Sequence, residues 1–561
     1  MPLFRPIPKS ENVAVSFPKP LQPAFHGKYR NPVRAGDFPD PSVIRVGERG
    51  FYAVTTSTDW APFFPIFKSN DLIDWELVGH VFARRPDWCA GNFWAPDFAE
   101  KDGRFYVYYT ARRKDGPLCV AVATADRPEG PYTDHGPLIG QNRYGAIDAM
   151  AADDADGGRW LLWKEDGNAH NRPTPIFAQR LSDDGLVLLG EQVELLRNDA
   201  PWEGRLVEAP HVIRRNGWFY MFYSGNKCCG EDCAYAVGVA RARALTGPWE
   251  KCPQNPILAG NDAFRCPGHG APVDDGKGNW YYLYHAYERR ADAIYVGRQL
   301  CLDAVRWGLD GWPSINGGQG PSRTAAVPFP SALERRPAQR AHWATDFGSQ
   351  LDRGWQWPQS GTPAMELDRG ALVLTAQQPR RHGDPLAGVA ARPVSSGDYS
   401  ATAVVDARDQ RAATLASLCA YGSHKDALGI GVRDGTVSVW RRRGGHLVEL
   451  ALARAPSDKV HLRCTALHGR AYRFAFSRDG RTWTTLGGRL DGSWLPPWDA
   501  GVRIALAVGG ATGVSARFTS LRFDPAPARV TPIEGRKSKR VRLAEALAKV
   551  ASARRLTVKS I

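Results

Sequence analysis

Short runs of aromatic and β-branched residues, each introduced by a glycine, recur five times in the first 320 residues. Their starts lie 53, 55, 59 and 61 residues apart, and the runs are GFYAVTTST from Gly50, GRFYVYYTAR from Gly103, GRWLLWKED from Gly158, GWFYMFYSGN from Gly217 and GNWYYLYHAY from Gly278. Runs of this length between Gly, Pro, Asn and Asp residues indicate strands. Three or four strands per unit of about 55 residues match one blade of a β-propeller. We therefore expect an all-β, five-bladed propeller over residues 25–320, rather than a β-sandwich whose strands are similar by accident.

One polar or aromatic residue precedes each of these runs at nearly the same distance. Counting back eleven residues from Phe51, Phe105, Phe219 and Trp280, and twelve from Trp160, reaches Asp40, Trp94, Glu208, His269 and Asp148. The first strand of each propeller blade lines the central channel, so these five side chains are expected to surround one pocket. Core positions of repeats normally carry small apolar residues, and this exception favours a functional site over five unrelated turn or surface residues.

Three converging carboxyl groups are suited to glycoside hydrolysis, which requires one protonated and one ionised carboxyl across the scissile bond. Glu208 has apolar sequence neighbours that should raise its pKa, and it is the better candidate for the general acid. Asp40, between two prolines in a turn, is the better candidate for the ionised base. Asp148 is then free to tune the pKa of Glu208 and to orient it, and Trp94 offers an apolar face for a sugar ring.

The motifs around these residues resemble glycoside hydrolase family 43. They are DPS at Asp40, WAPD at Trp94, ID at Asp148, EAP at Glu208 and PGHG at His269. The resemblance covers roughly residues 25–320 and implies a five-bladed propeller that acts on arabinosyl or xylosyl linkages. It also implies inversion of configuration, with Asp40 as general base, Glu208 as general acid and Asp148 as pKa modulator.

Two further residues are candidates for substrate or metal binding. Arg298, in the run IYVGRQLC, aligns with Val239, and a guanidinium at an otherwise apolar strand position is costly unless it meets a partner. The resemblance favours a role for Arg298 in binding sugar hydroxyls, and a buried structural ion pair is the alternative. The resemblance also places His269 near the axial channel, where some members hold a calcium ion through water. Calcium requires six to eight oxygen ligands, so one histidine cannot define such a site by itself. A bound ion would stabilise the structure or tune the site without supplying the nucleophile, and no cofactor is expected to be required.

A second domain is expected after a Pro-rich linker at residues 321–345. The runs ALVLTA, YSATAVVDA, LGIGVRDGTVSVWRR, VHLRCTAL, AYRFAFS and VRIALAVGG indicate an antiparallel sandwich over residues 346–524. This domain resembles the concanavalin-like C-terminal module of many family 43 enzymes. We expect it to pack against the propeller and to close one side of the pocket, with carbohydrate binding of its own as the alternative. SRDGRTW, from Ser477 to Trp483, is interpreted as a β-turn with a packed tryptophan.

Composition and charge exclude other classes of protein. The chain has 43% hydrophobic and 23% charged residues, which is typical of globular proteins. Of the formal charge of +15, the segment 529–561 carries +8, so a basic folded surface for nucleic acid is not supported. No apolar run approaches the roughly 18 residues of a membrane span. Residues 1–24 are expected to form an N-terminal arm and residues 525–561 a basic tail.

The N-terminus lacks a basic start followed by an apolar run, so no secretory signal is predicted. We expect a cytoplasmic protein, or a secreted one where the start of a precursor is missing. Four of the ten cysteines, Cys228, Cys229, Cys233 and Cys252, cluster in or near one turn-rich stretch. The spacing is not that of a zinc finger, and a local disulfide, free thiols and a metal site stay open.

Together these features predict an inverting, exo-acting hydrolase that releases arabinofuranosyl or xylosyl units from plant-type polysaccharides or oligosaccharides. The alternatives are an endo-arabinanase, a galactan-cleaving relative, and a carbohydrate-binding propeller without catalysis. A retaining fructosidase is disfavoured because its Asn-Asp-Pro-Asn-Gly signature is absent around Asp40.

Overall fold

A computed structural model describes residues 27–139, 143–329, 342–348, 350–377 and 386–525. The predicted N-terminal arm, and the predicted basic tail except for Pro525, lie outside these residues. In the described part of the chain, no helix has the length and apolar character needed to cross a membrane.

The first part of the chain forms five four-stranded antiparallel sheets in sequence order, and the prediction of an all-β propeller with five blades is confirmed. After β1 (Lys28–Arg30), the first blade contains β2 (Ser42–Arg45), β3 (Phe51–Val54), β5 (Phe63–Ser69) and β6 (Glu76–Phe82), with the short β4 (Trp60–Ala61) beside it. The second contains β7 (Cys89–Lys101), β8 (Arg104–Arg113), β9 (Leu118–Ala125) and β10 (Thr133–Ile139). The third contains β11 (Ala146–Asp153), β12 (Arg159–Glu165), β13 (Ile176–Leu181) and β14 (Leu188–Leu196).

The fourth blade contains β15 (Val207–Arg215), β16 (Trp218–Gly225), β17 (Ala236–Ala242) and β18 (Glu250–Lys251). The fifth contains β19 (Phe264–Asp274), β20 (Trp280–Glu288), β21 (Gln299–Trp307) and β22 (Pro313–Ile315), with the single-turn helix α1 (Ala293–Val296) before β21. Short 3₁₀ turns occur at Gly47–Arg49, Gly167–His170, Pro201–Glu203 and Asn316–Gly318. The first part of the run IYVGRQLC is therefore helical, although the sequence suggested a strand.

The blades form a closed ring because the first strand of each blade contacts the first strand of the next, in the order β2, β7, β11, β15, β19 and back to β2. Apolar clusters fill the space between neighbouring blades, as with Phe64, Phe93 and Tyr109 between the first and second. The aromatic strands of the repeat supply much of this core, which explains why the pattern is visible in the sequence. At the ends of the domain, β1 pairs with β23 (Thr324–Ala326).

The second domain is the predicted sandwich of two antiparallel sheets. One sheet contains β24 (Trp343–Thr345), β26 (Ala364–Asp368), β27 (Ala371–Thr375), β29 (Tyr399–Asp406), β34 (Lys459–Leu467), β35 (Ala471–Ser477), β36 (Thr484–Asp491) and β38 (Ser515–Pro525). The other contains β28 (Gly388–Pro393), β30 (Leu415–Tyr421), β31 (Ala427–Arg433), β32 (Thr436–Arg443), β33 (His446–Arg454) and β37 (Arg503–Gly509). Apolar side chains from both inner faces, such as Leu462, Phe474 and Ile504, form its core.

The propeller and the sandwich belong to one compact unit. Strand β25 (Trp357–Pro358) pairs with β4 of the first blade, and Val502 N–H donates to Tyr295 O at the end of α1. Ser477–Trp483 forms the predicted turn: Asp479 accepts from the N–H groups of Arg481 and Thr482, and the Trp483 ring packs against Arg463.

Candidate active site

A residue in the left-handed region lies in the first strand of blades two to five, and two residues before the first strand of blade one. These residues are Asp40 (φ 55°), Ala95 (φ 43°), Asp148 (φ 56°), Ala209 (φ 56°) and His269 (φ 39°). Pairing with the second strand shifts register beside this residue in blades two to five. Bulges of this kind redirect side chains and occur next to active sites. Here they turn the side chains of the first strands towards the channel mouth.

Side chains of the preceding blade stabilise four of these left-handed residues. Each accepts a hydrogen bond from the backbone N–H of the next blade: Thr56 from Ala95 (2.6 Å), Thr110 from Asp148 (3.2 Å), Ser224 from His269 (2.9 Å) and His285 Nδ1 from Asp40 (3.1 Å). The fifth N–H, that of Ala209, is bound by Asp148 Oδ2 instead (3.1 Å). These five hydrogen bonds therefore hold the backbone at, or directly after, every candidate residue. Next to Glu208 the acceptor is Asp148, in place of a Thr, Ser or His side chain.

The alignment used to find the candidates is wrong by one residue in two blades. Asp40, Asp148 and His269 are themselves the left-handed residues, whereas Trp94 and Glu208 directly precede Ala95 and Ala209. The bulges have the same form in blades two to five, so the difference lies in the hairpin after the first strand, which has two turn residues in blades two and four and five in the others. The side chains nevertheless converge: His269 Nδ1 lies 3.6 Å from Asp40 Oδ1 and 3.8 Å from Asp148 Oδ2.

Asp40 is buried and paired with a cation. Arg298 Nη1 donates to Asp40 Oδ1 at 2.9 Å, and the side chain of Arg298 is 5% exposed. Burial alone would raise the pKa of Asp40, but Arg298, with His269 and His285, outweighs it and holds that pKa far below its usual range. Asp40 is therefore ionised, as expected of a base, although the cause is Arg298 and not the turn.

The same contact shows that Arg298 forms the buried ion pair that the sequence left as the alternative. Its second amino group donates to the Asp499 carbonyl of the sandwich at 3.2 Å, and binding of sugar hydroxyls by Arg298 stays a prediction. Burial lowers the pKa of the neighbouring His285 to about 4, so this ring is neutral and its Nδ1 is free to accept from Asp40 N–H.

Glu208 accepts hydrogen bonds on both carboxyl oxygens. Lys164 Nζ lies 2.7 Å from Oε2, and the Tyr235 hydroxyl donates to Oε1 at 2.8 Å. Burial would raise the pKa of Glu208, but Lys164 outweighs this effect and lowers the pKa below its usual value. The sequence-based prediction of a raised pKa is therefore wrong for the unliganded protein, because Lys164, and not the apolar sequence neighbours, dominates the surroundings of this carboxyl.

Asp148 is the carboxyl whose protonation is favoured. Burial raises its pKa to about 7, and the nearby charge of Glu208 acts in the same direction, although His269 opposes both. Its Oδ2 is bound to Ala209 N–H, which holds it beside the strand that carries Glu208. Two carboxyls placed so closely titrate as a coupled pair.

The loop that precedes β37 in the sandwich contacts two residues of the candidate site, Trp94 and Arg298. The ring of Trp498 stands edge-on to Trp94, with centroids 6.0 Å apart, and Trp498 is 62% exposed. Asp499 of the same loop accepts a hydrogen bond from Arg298. The sandwich therefore contacts the site, and its role as a wall of the pocket stays a prediction.

Two disulfides lie near the site, Cys228–Cys229 and Cys233–Cys266. Of the four clustered cysteines, Cys252 is a buried free thiol, and Cys266, which was not among the candidates, takes its place. Cys266 precedes His269 by three residues, and Cys233 precedes Tyr235 by two. The second disulfide therefore joins the segments that carry these two side chains.

Among the described residues, no group of three or more His, Cys, Asp and Glu side chains is arranged to hold a metal ion. His269 Nδ1 faces Asp40 and Asp148, and a calcium ion held through water by His269 stays a prediction.

Lys164, Tyr235, His285 and Trp498 were missed by the sequence analysis. The sequence does carry a signal for Lys164. It lies four residues after Trp160, and three other blades carry a tyrosine at the aligned position, namely Tyr109, Tyr223 and Tyr284. Trp498 comes from a loop of the sandwich and Tyr235 from the connection between β16 and β17, and no repeated spacing marks them.

Known proteins share both domains of this chain. The family model of glycosyl hydrolases family 43 matches residues 29–313, and that of the β-xylosidase C-terminal concanavalin A-like domain matches residues 344–523. The chain is 31% identical over 384 residues to the xylosidase/arabinosidase 43B of Humicola insolens and 32% identical over 309 residues to a xylosidase/arabinosidase of Butyrivibrio fibrisolvens. These alignments cover 62% and 52% of this chain, but only 66% and 57% of the two relatives.

The fold also agrees with solved structures. The crystal structure of the GH43 BlXynB protein from Bacillus licheniformis superposes with a TM-score of 0.76 at 26% identity, over 89% of this chain and 100% of that one. The likeness therefore extends over both the propeller and the sandwich.

Proposed function

The chain belongs to glycosyl hydrolases family 43, and from this premise we propose that it is an inverting, exo-acting hydrolase of terminal xylosyl or arabinofuranosyl units. Its substrates are plant-type polysaccharides or oligosaccharides. The observation that carries the proposal is the convergence of Asp40 and Asp148 on His269, with Asp148 bound to the strand of Glu208. The relatives named above are described as acting on both pentoses, so both sugars are retained as candidates.

In the proposed reaction, a water oxygen attacks the anomeric carbon while Asp40 takes a proton from that water. The bond between the anomeric carbon and the leaving oxygen breaks, and Glu208 gives its proton to that oxygen. The product has the inverted configuration. The site is reset when Asp40 releases its proton and Glu208 takes one up.

The surroundings of the two residues support this division of roles. Arg298 keeps Asp40 ionised at any pH near neutrality, which suits a base and not an acid. Glu208 must gain a proton before each turnover, and the adjacent Asp148, with a pKa of about 7, keeps one close by near neutral pH. When Asp148 is ionised instead, its negative charge favours the protonated form of Glu208.

Exo action is supported by the sandwich. Trp498 and the Asp499 carbonyl contact Trp94 and Arg298 from one side, and a pocket bounded on that side would admit a chain end more readily than a chain interior. An endo-arabinanase needs a groove that is open at both ends.

The test is a screen of the purified protein with nitrophenyl α-L-arabinofuranoside, β-D-xyloside and β-D-galactoside, beside debranched arabinan. We expect hydrolysis of one or both pentosides, release of monomers only, loss of activity in Asp40→Asn on every substrate, and loss of activity in Glu208→Gln on natural linkages. Cleavage of debranched arabinan to oligomers would indicate an endo-arabinanase. Binding of arabinan or xylan without any hydrolysis would indicate a carbohydrate-binding propeller.

A further inference from the structure

Lys164 is a buried lysine whose ammonium group contacts the carboxyl of Glu208. It lies on β12, the second strand of the third blade, and 1% of its side chain is exposed. Its Nζ is 2.7 Å from Glu208 Oε2 and 3.1 Å from Asp166 Oδ1. Burial alone would lower the pKa of Lys164, but Glu208 and Asp166 outweigh it and raise the pKa, so the group is a cation.

Lys164 and Tyr235, the two hydrogen-bond donors to Glu208, differ in whether they can also accept a hydrogen bond. An ammonium group only donates hydrogen bonds, so Oε2 is an acceptor towards Lys164 whether Glu208 is ionised or protonated. A tyrosine hydroxyl both donates and accepts, so Tyr235 can contact Oε1 in either state. The proton that Glu208 transfers therefore belongs on Oε1, and Lys164 determines this choice.

Other charged and titratable groups also surround Glu208. On the neighbouring elements these are Asp148 on β11, Tyr235 before β17, His269 on β19 and Asp166 beyond Lys164. Among them, Lys164 is the cation in direct contact with the carboxyl.

We propose that Lys164 is a positioning residue of the acid, which fixes Glu208 Oε2 and limits the pH up to which Glu208 keeps its proton. The inference deepens the function proposed above and rests on it. It assigns opposite effects to two neighbours of Glu208: Asp148 favours the protonated acid, and Lys164 favours the ionised one.

The test uses Lys164→Gln, which keeps a hydrogen-bond donor but removes the charge. Without the cation, the pKa of Glu208 rises, so Glu208 keeps its proton to higher pH. The basic limb of the kcat/KM profile should move upward by roughly one to three pH units. Lys164→Arg, which keeps the charge, should leave the limb close to that of the parent enzyme.

Asp166→Asn is the matched control. It removes a negative charge from the same cluster and leaves the contact between Lys164 and Glu208 in place. The pKa of Glu208 should fall, and the basic limb should move to lower pH. A general loss of packing would not give shifts of opposite sign in these two variants.

A second readout separates this proposal from the proposed function. The Glu208 carboxyl is titrated by ¹³C NMR in enzyme labelled at glutamate Cδ, with Glu208→Gln to assign the signal. A higher Glu208 pKa in Lys164→Gln supports the proposal even if no pentoside is hydrolysed. An unchanged or lower pKa in that variant overturns it, even in an active hydrolase. If Lys164→Gln does not fold, the same titration of Asp166→Asn decides, and an unchanged Glu208 pKa there overturns the proposal.

Discussion

Arg503 of the sandwich and Asp37 of the propeller form an ion pair, with Nη1 2.9 Å from Oδ2 and 2% of each side chain exposed. The same oxygen of Asp37 accepts from Gly501 N–H at 2.9 Å, and its other oxygen accepts from Arg298 N–H at 3.2 Å. Arg298 in turn holds Asp40. The sandwich is thereby connected to the proposed base through three consecutive contacts, and it contributes to the site as more than a wall.

We predict that Arg503→Met lowers both stability and activity. Removing one partner of a buried ion pair typically costs about 3–5 kcal/mol, because the other charge stays buried. Urea unfolding should show the loss of stability, and kcat/KM should fall because the backbone of Arg298 loses its support. The control is Arg522→Met, since Arg522 pairs with Asp524 at the surface, where solvent screens the pair and its loss changes stability little. Equal unfolding curves for the two variants would contradict this role of Arg503.

Arg298→Met is predicted to move the acidic limb of the kcat/KM profile upward. The pKa of Asp40 is held low by Arg298, so without that charge the carboxylate takes up a proton at higher pH and stops acting as a base. Loss of an opposite charge at this range shifts a pKa by roughly one to three units. Arg298→Lys retains a positive charge, so its acidic limb should lie between those of the parent enzyme and Arg298→Met. If the acidic limb of Arg298→Met lies at the same pH as that of the parent enzyme, then a group other than Arg298 keeps Asp40 ionised.

The division of roles between the carboxyls predicts a dependence on the leaving group. Glu208→Gln should lose about 10²–10⁴-fold on natural linkages, the usual contribution of general acid catalysis, and much less on activated aryl glycosides. Asp40→Asn should fail on both, and azide should not restore it by forming a product of retained configuration. Equal losses of Glu208→Gln on both kinds of substrate would refute its role as the acid.

Inversion makes a direct stereochemical prediction. ¹H NMR during the first minutes of hydrolysis should show the released sugar in the inverted anomeric form. In a crystal structure with bound ligand, the carboxyls of Asp40 and Glu208 should lie roughly 6.5–9.5 Å apart, which leaves room for the attacking water. A first product with the original configuration, or a separation near the roughly 5 Å of retaining enzymes, would exclude this mechanism.

Much of the fold could be predicted from the sequence, because each repeat of the strand pattern forms a blade that packs in the same way as the others. The five aromatic strands mark the blades, and a ring of blades brings Asp40, Asp148 and His269 together without further information. The surroundings of the carboxyls could not be predicted in the same way. Lys164 belongs to a second strand, so its contact with Glu208 depends on how two blades pack. This long-range contact reverses the pKa shift that the local sequence of Glu208 suggests.

The ion pair that joins the sandwich to the propeller was equally hidden. Arg503 and Asp37 are 466 positions apart, and each alone resembles an ordinary surface residue. Their pairing follows from the docking of two domains, about which periodicity within either domain carries no information.

Trp498→Ala is predicted to weaken substrate binding more than turnover. Trp498 is 62% exposed, although large apolar side chains are usually covered, and its ring meets Trp94 at the site. Exposed aromatic groups beside a polar site often mark contacts with a ligand. Loss of one such contact, of about 1 kcal/mol, corresponds to a rise in KM of roughly fivefold to tenfold.

The control for this variant is Trp483→Ala in the same domain. Trp483 packs against Arg463 in the turn after β35, and its removal should leave KM unchanged. Trp498→Phe should retain most of the affinity, because an aromatic face is still present. If KM is the same in Trp498→Ala and the parent enzyme while kcat falls, then Trp498 orders the loop that holds Asp499 and Arg298 and does not contact the sugar.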